Sequence, residues 1–244
     1  MRIFLAGATG VIGRSLIPLL KADGHEVVGT TRNSAGAELL ATLGVAPAVV
    51  DVFDAEALLG IVKRAAPEIV IHQLTDLSAG LDPASREKVL AGNARLRREG
   101  TANLVRAALA AGARRLIAQS IAWAYAPKQP PYSEADPLDS AATGLRAITI
   151  AGGVIPLEEA VLGQPGLEGI VLRYGELYGP GTWRMNPEGL SPVHVDAAAL
   201  AASLAVTRGS PGMYNIAEPG GSAAVAKAMS ELGWNPAFRR AGRL

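Results

Sequence analysis

Three glycines in seven residues, Gly7, Gly10 and Gly13, stand where the apolar run Arg2–Ala6 gives way to a helical pattern that begins at Val11. With Ala8, Thr9, Val11 and Ile12 they form a Gly-x-x-Gly-x-x-Gly loop between a strand and a helix, the setting in which such spacing holds a dinucleotide. Gly7 permits the tight turn. Gly10 lets backbone N–H groups approach a pyrophosphate at the helix N-terminus, and Gly13 lets the helix pack closely on the strand. A Cβ at Gly10 is expected to obstruct the phosphates. The alternative is a glycine turn with no ligand, but strand, loop and helix all agree with the nucleotide reading.

The second strand ends at Thr30-Thr31 and is followed by Arg32, where an NAD-selective site carries Asp or Glu for the ribose 2′-hydroxyl. A guanidinium instead suits a 2′-phosphate, so Arg32 points to NADP as the cofactor, with Arg14 as a second contact. The plain alternative is a solvated surface arginine.

Elsewhere the chemistry-bearing residues are sparse. There is no cysteine and there are three histidines, which removes thiolate nucleophiles and sulfur-ligated metals together, and no metal site is expected. The formal charge of +1 offers no field for nucleic acid, and no eighteen-residue apolar stretch is present to span a bilayer. No leader pattern precedes Arg2, so a cytoplasmic location is expected. His72 ends the fourth strand and reads either as an acid or as a satisfied core histidine. Asn93, Arg97 and Thr101 share one helix face. Arg97 reads either as a solvated cation or as a buried donor to substrate or to a neighbouring loop.

These groups need elements to hold them. Short apolar runs at Arg2–Ala6, 26–30, 46–51, 69–74, 115–119 and 169–173 alternate with helical patterns at 11–22, 35–43, 55–65, 85–111 and about 155–162. Such runs suit strands buried on both faces, and the βαβ alternation predicts an α/β fold: a Rossmann-type doubly wound parallel sheet whose ligands bind beyond the carboxyl ends of the strands. Residues 119–151, with Pro127, Pro130, Pro131 and Pro137, read as a long loop over that edge. Residues 1–175 are expected to form the dinucleotide-binding domain, and residues 176–244 a small C-terminal substrate-side lobe integral to the same fold.

Taken with further motifs, the sequence resembles the short-chain dehydrogenase/reductase superfamily, in its extended branch of NAD-dependent epimerases and dehydratases. Besides the glycine loop, the matches are Asp51-Val52, Gly100-Thr101-Ala102-Asn103-Leu104, Glu134-Ala135-Asp136-Pro137-Leu138, the run from Leu172 through Tyr174-Gly175 to Gly181, and Val193-His194-Val195-Asp196. The resemblance implies that Asp51 and Val52 hold the adenine, that Leu74 and Thr75 line the cofactor channel, and that Tyr174, Gly175 and Leu177 lie near the nicotinamide. It implies a structural bridge at His194 and Asp196. Such relatives also pair through long helices, which allows a homodimer.

The same resemblance calls for Tyr-x-x-x-Lys before the sixth strand, where lysine lowers the tyrosine pKa for proton exchange with a substrate oxygen. That pair is absent. Counting back from Glu159 gives Ala151 and Ile155, and from Glu158 gives Ile150 and Val154. Ser120 stands near the position where relatives carry a substrate-binding hydroxyl, and Tyr125 follows one residue later than usual, so these two are the catalytic candidates. Tyr132, Tyr174 and Tyr178 offer other phenols, and Trp123 and Trp183 an apolar wall. The expected activity is NADPH-linked reduction or dehydrogenation of a small organic carbonyl or related unsaturated group. The alternatives are a non-catalytic NADP-binding redox sensor and an isomerase or dehydratase that retains its cofactor.

Overall fold

In the computed structural model, residues 1–77 and 85–240 are described. β1 (Arg2–Ala6), β2 (Glu26–Thr31), β3 (Ala46–Val49), β4 (Ile69–His72), β5 (Arg115–Ile121) and β6 (Glu168–Tyr174) follow one another with helices between them. β7 (Glu176–Tyr178) and β8 (Pro192–His194) then pair as a side ribbon, and β9 (Gly212–Ile216) returns to the main sheet. The strand order is β3-β2-β1-β4-β5-β6-β9, and every pairing along it is parallel. This is the expected Rossmann-type sheet. The chain runs outward from β1 to β3 and then restarts at β4 beside β1, so the connections leave the sheet in opposite directions at the β1–β4 crevice.

The parallel strands are apolar on both faces because helices cover both. On one face Ile3, Leu5, Ile69 and Ile71 pack under α1 (Val11–Ala22) and α8 (Val195–Leu204), represented by Leu16, Leu20, Ala198 and Ala202. On the other, Phe4, Ala6 and Val70 meet α3 (Ala55–Ala65), α5 (Thr101–Ala110) and α7 (Ile155–Leu162). Each large side chain buried this way contributes roughly 1.5–3 kcal/mol relative to its exposed state. α2 (Ser34–Thr42) follows β2, with Asn33 as its cap: Asn33 Oδ1 accepts from the Gly36 N–H at 2.8 Å.

Two helical expectations change. The single helix over 85–111 is α4 (Arg86–Arg95) and α5 joined by a π turn at Leu96–Gly100. The loop over 119–151 stops short, because α6 (Gly144–Thr149) and a second π turn at Ile150–Val154 run directly into α7. Gly152 and Gly153 lowered the helical signal there, yet a Cβ on Gly153 would lie 2.9 Å from the Ala94 Cα, so glycine lets the two helical tracks touch. α8 and β9 carried no amphipathic pattern, since both are buried among apolar neighbours.

The stretch after Gly175 divides between layers. α8 covers the same sheet face as α1, and β9 forms the edge beyond β6, with Tyr174 opposite Ile216. A chain cut after Gly175 would uncover Ile170, Leu172 and the inner side of α1. Such a fragment is expected to lack a cooperative thermal transition by near-ultraviolet circular dichroism, whereas a sharp transition would show that 1–175 folds alone.

Candidate active site

β1 ends at Ala6, and the backbone turns at Gly7 with φ +87°, a left-handed conformation that glycine alone adopts readily. The Gly7 N–H donates to Thr30 Oγ1 at 3.2 Å, and its carbonyl accepts from the Gly10 N–H at 3.0 Å. A Cβ at Gly13 would collide with the Gly7 carbonyl oxygen, so the close helix–strand approach requires glycine. Gly10 differs. Its nearest obstacle would be the Gly7 oxygen at 3.2 Å, and the rest of the space beside it is a cavity of about 350 Å³.

That cavity brings together Gly7, Thr9, Gly10, Arg32, Asp51, Val52, Leu74 and Thr75, eight of the residues expected to hold the cofactor. Val11 and Ile12 turn into the α1 packing instead, with Ile12 buried in the core. Tyr174 is buried and accepts from Gln73 Nε2 at 3.3 Å, while Gly175 donates to the Ile216 carbonyl at 2.9 Å. Leu177 lies half-buried in β7. None of these five lines the cavity. Phe53, Gln73, Asp76 and Leu96 do, and sequence reading missed them. Gln73 sits between the expected His72 and Leu74, and an amide within an apolar strand end was the signal. It is 5% exposed, and its Oε1 has no hydrogen-bond partner among the described residues.

The cavity fits a dinucleotide. Free N–H groups at the start of α1 meet space that a side chain on Gly10 would fill, as a pyrophosphate requires. Arg32 is exposed at the rim, beside Asn33, and forms no ion pair with a described residue. Asp51 Oδ1 accepts from the Phe53 N–H at 2.9 Å, and the Val52 carbonyl accepts from Asn103 Nδ2 at 2.9 Å, which fixes that wall of the cavity.

Ser120 and Tyr125, expected to face substrate, are directed into a closed network. Glu158 and Arg173 form a buried two-point pair, Nε to Oε1 at 2.9 Å and Nη2 to Oε2 at 2.6 Å. The Ser120 hydroxyl donates to Glu158 Oε1 at 2.7 Å. The Tyr125 hydroxyl accepts from Arg173 Nη1 at 2.9 Å and donates to Asn215 Oδ1 at 2.6 Å. Burial pushes the Tyr125 phenol up despite its bond from Arg173, and burial does the same to Tyr174. Burial alone would pull Arg173 down, but the bonds and charge of Glu158 outweigh it and hold the cation.

Where the resemblance calls for tyrosine and lysine, the side chains are apolar. Ile150 and Val154 are buried in a small cluster with Ile121 and Ala124, and in the other register Ala151 is exposed and Ile155 packs against that cluster. His72 is a satisfied core residue. Its Nδ1 accepts from the Leu74 N–H at 3.2 Å, so the ring proton lies on Nε2, 2.9 Å from Thr101 Oγ1. Burial, aided by the charge of Arg97, lowers its pKa to about 4.

A histidine held below its unfolded value of about 6.5 contributes stability that is present above that pH and is lost as pH falls toward 4. Urea unfolding of the wild type should therefore weaken over pH 6.5 to 4, and His72→Gln should flatten that part of the slope; an unchanged slope would contradict the assignment. Glu158→Gln, which leaves Arg173 buried without its counter-charge, should cost about 3–5 kcal/mol in the same assay at pH 7.

Known proteins share this fold. The model of the NAD dependent epimerase/dehydratase family matches residues 3–211. The 3-diazoavenalumate denitrifying reductase of Streptomyces sp is 43% identical over 240 aligned residues, covering 89% of this chain and 76% of that protein. Among solved structures, the UDP-glucose 4-epimerase of Thermotoga maritima superposes with a TM-score of 0.76 at 20% identity, over 98% of this chain and 94% of that one. The UDP-glucose 4-epimerase of Thermus thermophilus, solved with NAD, gives 0.73 at 22% identity, over 98% and 95%. At that identity the likeness is one of fold. The family match, which runs from the first strand to the residue before β9, makes this chain a member of the NAD dependent epimerase/dehydratase family.

Proposed function

We propose that this protein is an NAD(P)H-dependent reductase whose substrate accepts hydride without taking a proton from the enzyme, with an aryl diazonium as the leading substrate class. The observation that carries this reading is the apolar cluster of Ile121, Ala124, Ile150 and Val154 at the position of the missing proton relay. Reduction of a carbonyl leaves an oxyanion, which needs an acid or aimed donors. The two candidate hydroxyls, Ser120 and Tyr125, already serve Glu158, Arg173 and Asn215. The carbonyl expected from sequence is therefore the weaker candidate.

When bound, the reduced dinucleotide supplies one hydride; an aryl diazonium that accepts it leaves as arene and N2, cation and hydride cancelling. The chain's task is then to bind, orient and exclude water. The name of the 43% identical relative, a denitrifying reductase of a diazo compound, is in keeping with such a substrate. Domain 1–175 would hold the dinucleotide. In 176–244, Trp183, Met185 and Leu190 are 64, 66 and 73% exposed, and a Cβ on Gly181 would stand 3.4 Å from Arg14 at the start of α1. These exposed apolar side chains, on the segment whose Gly181 approaches the start of α1, suit an aromatic ring. A cytoplasmic location and a homodimer belong to the same proposal.

NADP rather than NAD is favoured by Arg32, which has no ion-pair partner among the described residues. Calorimetric titration of Arg32→Glu should show NADPH affinity reduced by about tenfold or more, the scale of losing a charge-assisted bond, with a far smaller change for NADH. Equal loss for both would sink the assignment. For the reaction, diazotised 3-amino-4-hydroxycinnamate with NADPH should be consumed above the protein-free rate, yielding one arene per NADPH by chromatography. Turnover of an aldehyde, enone or imine panel in its place would overturn the diazonium reading. Binding without any turnover would favour the redox sensor, and product formed with no loss of NADPH absorbance would favour an isomerase or dehydratase.

A further inference from the structure

Two guanidiniums and one carboxylate are buried at the carboxyl end of β4 and β5, and only one of the guanidiniums is neutralised. Glu158 is committed to Arg173 through two bonds. Arg97, in the π turn between α4 and α5, is 4% exposed, and it makes no hydrogen bond or ion pair with a described residue. His72 beside it is neutral at pH 7, and its two ring nitrogens are taken by Leu74 and Thr101. Glu158 attracts Arg97 through space, but burial still draws its pKa down to about 10, so it stays charged at neutral pH. Among these groups Arg97 is therefore the one charge left without a counter-ion.

Burying an uncompensated ion costs several kcal/mol, and such charges are ordinarily paired. The π turn keeps Arg97 there. A Cβ on Gly153 would lie 3.3 Å from Arg97 Cδ, so the second π turn passes close to the stem of the side chain and glycine leaves it room. Its chain neighbour Leu96 lines the dinucleotide cavity, as does Gln73, whose Oε1 is likewise without a partner among the described residues. A planar fork of donors with no internal acceptor suits an oxyanion received at two points, a carboxylate or a phosphate, and the NADP⁺ affinity measured below tells the two apart.

We infer that Arg97 is the anchor for a carboxylate group of the substrate, so that the enzyme acts on aromatic or unsaturated organic acids rather than on their neutral counterparts. This rests on reading the protein as a reductase whose substrate binds beside the dinucleotide cavity. The carboxylate of the same molecule would cancel Arg97, so that a cationic reacting group meets no net positive charge from it.

The test uses binding, so it does not depend on turnover. NADP⁺-loaded protein is titrated calorimetrically with cinnamate and benzoate and with cinnamamide and benzamide. The wild type is expected to bind the acids at least tenfold more tightly than the amides. Arg97→Gln should remove that preference by weakening the acids about tenfold, about 1.4 kcal/mol, while leaving the amides and NADP⁺ unchanged. Arg97→Lys, which keeps the charge without the fork, should retain part of the preference and serves if the Gln variant does not fold. No acid preference in the wild type, a preference that survives in Arg97→Gln, or an equal loss of NADP⁺ affinity would each overturn the inference. Failure to reduce a diazonium would leave it standing, and loss of the acid preference would leave the reductase reading standing.

Discussion

Glu158 and Arg173 face each other with almost no water between them, their side chains 6 and 3% exposed. Two such ions leave water at a cost that only close, two-point geometry recovers. The pair joins α7 to β6, and through Ser120 and Tyr125 it reaches β5 and the loop beyond, while Asn215 adds β9. Five segments are therefore fixed around one charge pair. Both candidate hydroxyls are consumed in satisfying it, which is why the remaining chemistry has so few protein donors to work with.

The dinucleotide cradle depends on a different constraint, the closeness of α1 to β1. Gly7 takes a left-handed backbone and Gly13 admits the Gly7 carbonyl, so the first N–H groups of α1 stay turned toward the cavity. The topology then does the rest. Because the chain restarts at β4 beside β1, the residues after β4 form the opposite wall, and Gln73, Leu74, Thr75 and Asp76 meet the glycine loop across the crevice.

Between these two fixed regions lies the part that departs from the family's usual chemistry. Apolar side chains replace an acid–base pair, and a buried arginine stands without a counter-ion among the described residues. Apolar side chains at that position cannot stabilise an alkoxide by proton transfer.

Sequence alone determined what short-range physics determines. The glycine loop, the reversed charge at Arg32, the βαβ order and the absence of Tyr-x-x-x-Lys are all local patterns, and the strands and helices of the first 111 residues stand within a few positions of where periodicity put them. Tertiary structure decided the direction of each candidate side chain. Ser120 meets Glu158 across 38 positions and Tyr125 meets Asn215 across 90, so no window of sequence could show that these hydroxyls turn away from the cavity. Gln73 and Arg97 gained their importance in the same way, since an unpaired buried group is defined by everything that surrounds it. α8 and β9 were hidden for the converse reason: elements covered on all sides lose the polar periodicity by which sequence reveals them.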